Sequence, residues 1–176
     1  MLLRASSIAD THAIASALAG LARPGDIIVL AGEMGAGKTA FAQGFGRALG
    51  VTEPITSPTF TLVHSYSCPD QRMTLHHADI YRLDSTGDVD ELALHELAEF
   101  GGIVLVEWGD VAAVALGEHL EVRLTPEHDD DQAVIDSDDP DEFGLDNART
   151  IELHAAGRSW AGRWDRITDE LATFRC

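Results

Sequence analysis

The chain has 176 residues, 45% of them hydrophobic, and sets 12 Lys and Arg against 30 Asp and Glu for a formal charge of −18. That is enough apolar material for one core of ordinary size and cramped for two, so residues 1–176 are expected to form a single domain. The charge argues against direct grip on nucleic acid, which is won by clustered Lys and Arg on phosphates. Residues 1–10 hold no apolar core of signal-peptide length, and no segment approaches the ~18 apolar residues of a membrane span, so a cytoplasmic chain is expected. Cys68 and Cys176 lack CxxC spacing and are expected to remain thiols.

In chain order, "SIAD" at residues 7–10 reads as a capping box, after which Ile14, Leu18 and Leu21 share one helical face until "RPGD" ends it. "IIVLA" at 27–31 is a buried strand. It runs into "GEMGAGKT", Gly32 to Thr39, and then Phe41, Phe45 and Leu49 repeat every four residues up to Gly50. The result is strand, glycine loop and helix in immediate succession. "SPTFTLVHSYS" and "MTLHHADIYRL" read as adjacent strands joined by a turn at "CPDQ". Asp88 and Glu91 give a second capping pattern, with Val89, Leu92, Ala93 and Leu97 on one side of the helix predicted to follow. "GGIVLVEW" is a continuous apolar strand of the kind that parallel sheets bury on both faces.

"HLEVRLTP" and "RTIELHAAG" alternate as strands on either side of residues 127–146, which carry ten acids and no Lys or Arg. Like charges at that density repel and bury little, so a mobile, solvated loop insertion is expected. Trp160, Trp164, Ile167, Leu171 and Phe174 mark a final amphipathic helix. Alternating helices and strands predict an α/β sandwich with a mixed, largely parallel sheet.

The glycine loop matches GxxxxGK[ST] at Gly32, Gly37, Lys38 and Thr39. Its backbone from Glu33 through Met34, Gly35, Ala36 and Gly37 is suited to turning N–H groups inward around a polyphosphate, aided by the helix N-terminus. Lys38 is the only lysine of the chain; every other basic residue is Arg. An ammonium is a compact point charge that fits between the β- and γ-phosphates, where a planar fork does not. Thr39 supplies a hydroxyl for Mg²⁺, and Glu107, ending "IVLVE", a carboxylate for the same ion. Asp79 in "HADIYRL" is a second carboxylate, either for the attacking water or the metal's waters, or else for a salt bridge to Arg82 or a turn contact. "TSPTFT" is a candidate switch loop, with Thr59 and Thr61 its hydroxyls of interest, or an ordinary Ser-Pro turn. His76 and His77 are neighbours on a strand, point to opposite faces and read as structural. Trp108 fits either a core or a partner contact.

A guanine-reading NKxD motif is absent, because the one lysine is in the loop, which favours ATP. A P-loop kinase for a small metabolite and an interaction protein holding nucleotide without turnover remain alternatives. The segment in which such kinases carry an Arg-bearing lid is here acidic.

"GEMGAGKT", "SPTFTLVHSY", "HADIYRL" and "VEW", in this order and spacing over residues 7–125, resemble the TsaE (YjeE-type) family of bacterial ATPases required for threonylcarbamoyladenosine modification of tRNA. The resemblance implies a P-loop NTPase fold, ATP and Mg²⁺ as ligands held by Lys38 and Thr39, and Glu107 as metal ligand. It further implies that Asp79 and Thr59 serve hydrolysis and that Thr11 lies near the adenine. TsaB- and TsaD-like proteins are the implied partners, with tRNA met only through their complex and hydrolysis resetting it between cycles. Ala40 and Gly109 depart from the family pattern, where a second hydroxyl residue and a proline are usual.

Overall fold

A computed structural model describes residues 1–58, 61–69, 73–81, 92–108, 116–127 and 148–176. The predicted hairpin turn at "CPDQ" falls partly, and Arg82, Asp88, Val89, Glu91, Gly109 and residues 128–146 wholly, outside the described residues.

Among the described residues seven strands form one mixed sheet. In chain order they are β1 (Leu2–Ala5), β2 (Ile27–Ala31), β3 (Val63–Cys68), β4 (Met73–Asp79), β5 (Gly102–Glu107), β6 (His119–Pro126) and β7 (Arg149–Ala156), and their spatial order is β1-β7-β6-β2-β5-β4-β3. The four central strands, β6, β2, β5 and β4, are parallel, while β1, β7 and β3 are added antiparallel at the two sides. This agrees with the apolar content: β2 and β5 are buried along their whole length, as strands covered on both faces must be. β1 has no counterpart among the strands read from sequence. Four residues are too few for alternation to stand out, yet Leu3 and Ala5 are fully buried once β1 pairs with β7.

Two apolar layers sandwich the sheet. On one face, α1 (Ile8–Leu21) and α2 (Lys38–Ala48) bring Ile14, Leu18, Phe41 and Phe45 against Ile28, Leu30, Leu105 and Leu124. On the other, α3 (Leu94–Glu99) sets Leu94 and Ala98 against Val29, Val104 and Val106. α1 and α2 approach closely because Gly44 has no side chain: a Cβ there would come within 2.7 Å of the His12 Cα. The first helix starts as predicted, with the Ser7 hydroxyl accepting from the Asp10 N–H at 3.1 Å. Ser7→Ala should cost about 1 kcal/mol, the usual value of such a cap. For a chain of this size it lowers the melting temperature by about 2–4 °C, and an unshifted melting curve would show the cap to be idle.

Two helices differ from the sequence reading. Ala93, placed inside a helix by periodicity, has φ 50°, so α3 begins at Leu94, and Leu92 and Leu97 are only half-buried. A left-handed residue interrupts the i to i+4 ladder however apolar its neighbours are. The final helix is likewise broken, into α4 (Arg158–Ala161), α5 (Trp164–Glu170) and a 3₁₀ turn (Ala172–Phe174). The break sits at Gly162 and Arg163. Arg163 is turned inward, its guanidinium fork meeting both Asp26 oxygens at 2.7 and 2.6 Å and the Leu21 carbonyl at 2.8 Å, with the Trp160 ring stacked on it. A buried charge must be paired in this way, and the pairing outranks helix continuity. Trp160, Ile167 and Leu171 still bury the predicted stripe.

Of the acidic segment, Glu127 is described. It accepts hydrogen bonds from Arg4 Nε and Nη2, the latter at 2.8 Å, and these hold its carboxyl below the usual carboxylate range. Among the described residues no helix is long and apolar enough to cross a membrane.

Candidate functional site

Three parallel strands end on one side of the sheet, and each delivers a predicted residue. β2 runs straight into the glycine loop, β5 ends at Glu107 and β4 ends at Asp79. Register fixes their spacing: Glu107 lies beside Leu30 of β2 on one side and Asp79 of β4 on the other. Ligand sites of open α/β sheets lie beyond the carboxyl ends of the strands for this reason, since the loops there converge.

The loop's shape depends on two glycines. Gly32 has φ 139° and its α-carbon faces the Leu124 carbonyl of β6, so a side chain would strike backbone; Gly37 has φ 99° and faces the Arg149 guanidinium. Glu33, Met34 and Gly35 are exposed at the crest, whereas Ala36, Gly37 and Lys38 are buried. Gly37 caps α2 without any side-chain hydrogen bond, leaving the first N–H groups of an 11-residue helix to backbone or ligand. The Lys38 ammonium closes the arch, donating to the carbonyls of Gly32 at 2.9 Å and Glu33 at 2.8 Å. It also lies 3.7 Å from the centre of the Trp108 ring.

Trp108 is thereby part of the loop's surroundings and not merely core. Its φ of 64° turns the chain at the end of β5, its N–H donates to the Leu30 carbonyl at 2.9 Å, and the half-exposed Tyr81 packs on its ring at 4.7 Å between centroids.

Thr39 and Glu107, 68 positions apart, are hydrogen-bonded: the Thr39 hydroxyl donates to Glu107 Oε1 at 3.0 Å. Both are hard oxygen donors of the type that suits Mg²⁺, and Glu107 is 3% exposed. Asp79, 4% exposed, accepts from the Ser57 hydroxyl through Oδ2 at 2.9 Å and from the Tyr81 N–H through Oδ1 at 3.0 Å. The turn contact foreseen as one alternative for Asp79 is thus present, together with a link to the "SPTF" loop. Thr59 lies outside the described residues. Thr61 is exposed, in a turn closed on the Pro58 carbonyl. Thr11 is fully buried, and its hydroxyl donates to the Ser7 carbonyl within α1. Ala40 is buried in the first turn of α2.

Two residues to which the sequence reading gave no part in the site enter it, although one of them, His77, opens the quoted "HADIYRL" stretch. Arg149, at the start of β7 and 1% exposed, donates to the Ala36 carbonyl at 3.3 Å, bracing the glycine loop from 113 positions away. Burial, with the charges of Arg47 and Arg149 adding to it, holds the nearby His12 below the ordinary histidine value. The other is His77, read as structural beside His76. His76 fits that reading, its Nδ1 meeting the Ser65 hydroxyl at 2.9 Å. His77 instead faces α2, with Nε2 at 2.9 Å from Glu107 Oε1. Among the described residues no group of three or more His, Cys, Asp or Glu is placed to hold a metal ion by itself.

Comparison with known proteins agrees with the fold. The family model "Threonylcarbamoyl adenosine biosynthesis protein TsaE" matches residues 5–134. The tRNA threonylcarbamoyladenosine biosynthesis protein TsaE of Bacillus subtilis is 37% identical over 126 residues, covering 71% of this chain and 77% of that one. Its counterpart in Streptomyces coelicolor is 35% identical over 147 residues, covering 82% and 89%. The crystal structure of Bacillus subtilis YdiB superposes with a TM-score of 0.70 at 30% identity, over 98% of this chain and 94% of that one.

Proposed function

The chain belongs to the TsaE family of tRNA threonylcarbamoyladenosine biosynthesis, and from that premise we propose that it is a Mg²⁺-dependent ATPase that docks on and resets a TsaB–TsaD-like transferase complex. The observation that carries the proposal is the convergence of Lys38, Thr39, Glu107 and Asp79 at the ends of three adjacent parallel strands.

The residues present fit a Mg²⁺–nucleotide. The first turn of α2, without a side-chain cap, would offer N–H groups to phosphate oxygens, and Lys38 at its start would supply the cation for the β- and γ-phosphates. Thr39 Oγ1 and Glu107 would hold the metal ion, whose contribution is to neutralise charge on the two terminal phosphates. Asp79, oriented by Ser57 and Tyr81, would accept a hydrogen bond from an attacking water. The Ser57 bond also ties the start of the "SPTF" segment to the hydrolytic carboxylate, so ordering of that segment and positioning of Asp79 are linked. Thr59 belongs to the same proposal as the hydroxyl that meets the γ-phosphate, and Thr11 as a neighbour of the adenine.

A subunit that hydrolysed ATP freely would dissipate it between cycles. Slow turnover is therefore expected for the protein alone, rising when partners order the site. Phosphate release is to be measured with increasing TsaB–TsaD pair, and separately with small-molecule acceptors. Stimulation by the pair supports the proposal. A high, unresponsive rate, or transfer of phosphate to a small acceptor, would replace it with a free ATPase or a kinase.

A further inference from the structure

We infer that His77 is a positioning residue for the cation site: it holds the Glu107 carboxylate in the orientation that serves a divalent ion. The inference rests on the proposed Mg²⁺–nucleotide reading and concerns a residue to which that reading gives no role. His77 is 0% exposed and lies on β4 two residues before Asp79, on the strand face that carries Leu75 and looks toward α2. Its backbone neighbour across the parallel pair is Leu105, so its ring reaches diagonally to Glu107, the next residue of β5 on that face.

A carboxylate only accepts, so Nε2 carries the proton and donates at 2.9 Å to Oε1. Thr39 Oγ1 donates to that same oxygen at 3.0 Å. Two donors from different elements, one on β4 and one on α2, therefore fix one oxygen of Glu107 and with it the plane of the carboxylate. Among the described residues the buried Nδ1 meets no hydrogen-bond partner, unlike the Nδ1 of His76. A histidine kept merely to fill the core would gain by satisfying both nitrogens, or by giving way to an apolar residue. Among the described residues the hydrogen bond that the His77 ring makes is the Nε2–H bond to Glu107, and that bond is the feature that His77 provides. Partners behind a ligating carboxylate typically govern metal affinity by 10–100-fold.

The test compares affinity for a non-hydrolysable ATP analogue by calorimetry, with Mg²⁺ and with EDTA. His77→Leu should match wild type within about twofold in EDTA and lose on the order of tenfold or more of the gain that Mg²⁺ brings. His77→Gln, whose amide nitrogen reaches as far as Nε2, should recover most of that gain. His77→Asn is polar but too short to reach Glu107; it should show the loss of the Leu variant and replaces it if that variant does not fold. A full Mg²⁺ gain in the Leu or Asn variant, an equal loss with and without Mg²⁺, or a Gln variant no better than Leu would overturn the inference. Failure of the wild type itself to bind the analogue more tightly with Mg²⁺ would instead overturn the underlying reading of the site.

Discussion

Lys38→Ala is expected to abolish measurable Mg-ATP binding. The ammonium makes two charge-assisted hydrogen bonds that close the glycine loop, to the Gly32 and Glu33 carbonyls, and it sits against the Trp108 ring. Its removal takes away the one compact cation at the loop and also the tie across the arch. Hydrogen bonds to charged groups contribute about 1.5–3 kcal/mol each, so losing two or more toward phosphate weakens binding by about 100-fold or more. Lys38→Arg should not restore it, because a planar fork does not reproduce the compact point charge that meets the Gly32 and Glu33 carbonyls. Calorimetry with ATP and Mg²⁺ decides the matter: wild-type affinity in the Ala variant would refute the site.

Glu107→Ala should lower Mg²⁺-dependent hydrolysis by about tenfold or more while leaving nucleotide binding in EDTA largely intact. A second consequence is visible only in the structure. Both the Thr39 hydroxyl and the His77 Nε2–H donate to Glu107 Oε1, and deletion of the carboxylate leaves the His77 donor, 0% exposed, without its acceptor, while the part-buried Thr39 hydroxyl also loses one. Each unsatisfied donor costs about 1–3 kcal/mol, so a fall in melting temperature accompanies the loss of activity. Glu107→Gln separates the two effects: its amide oxygen still accepts, so stability is largely retained, whereas the negative charge for the cation is gone. Hydrolysis unchanged across a magnesium titration in either variant would remove Glu107 from the site.

Features encoded over a short stretch of chain are legible in the sequence. The unbroken apolar runs of β2 and β5, the glycine loop between β2 and α2, and the four-residue spacing of Phe41 and Phe45 each follow from backbone sterics and burial over a dozen residues or fewer. Glu107 was legible as a candidate for the same reason, as an acid closing an apolar run, and Asp79 as an acid within an otherwise apolar strand, which in the structure ends at that residue. Tertiary structure alone decided which strands are neighbours. Placing β5 between β2 and β4 brings Glu107 to Thr39 across 68 positions and directs His77 at it, while its adjacent twin His76 turns to Ser65 on the opposite face. Strand periodicity does not distinguish the two histidines, because alternation predicts opposite faces but not which face holds the site; only the "HADIYRL" stretch, which begins at His77, sets them apart. The same holds for Arg149, which reaches the loop from the far end of the chain, and for Arg163, whose pairing with Asp26 breaks a helix that periodicity alone would continue. A buried charge takes its partner from wherever the fold supplies one, and that free energy, comparable to several residues' worth of helix propensity, is invisible until distant segments meet.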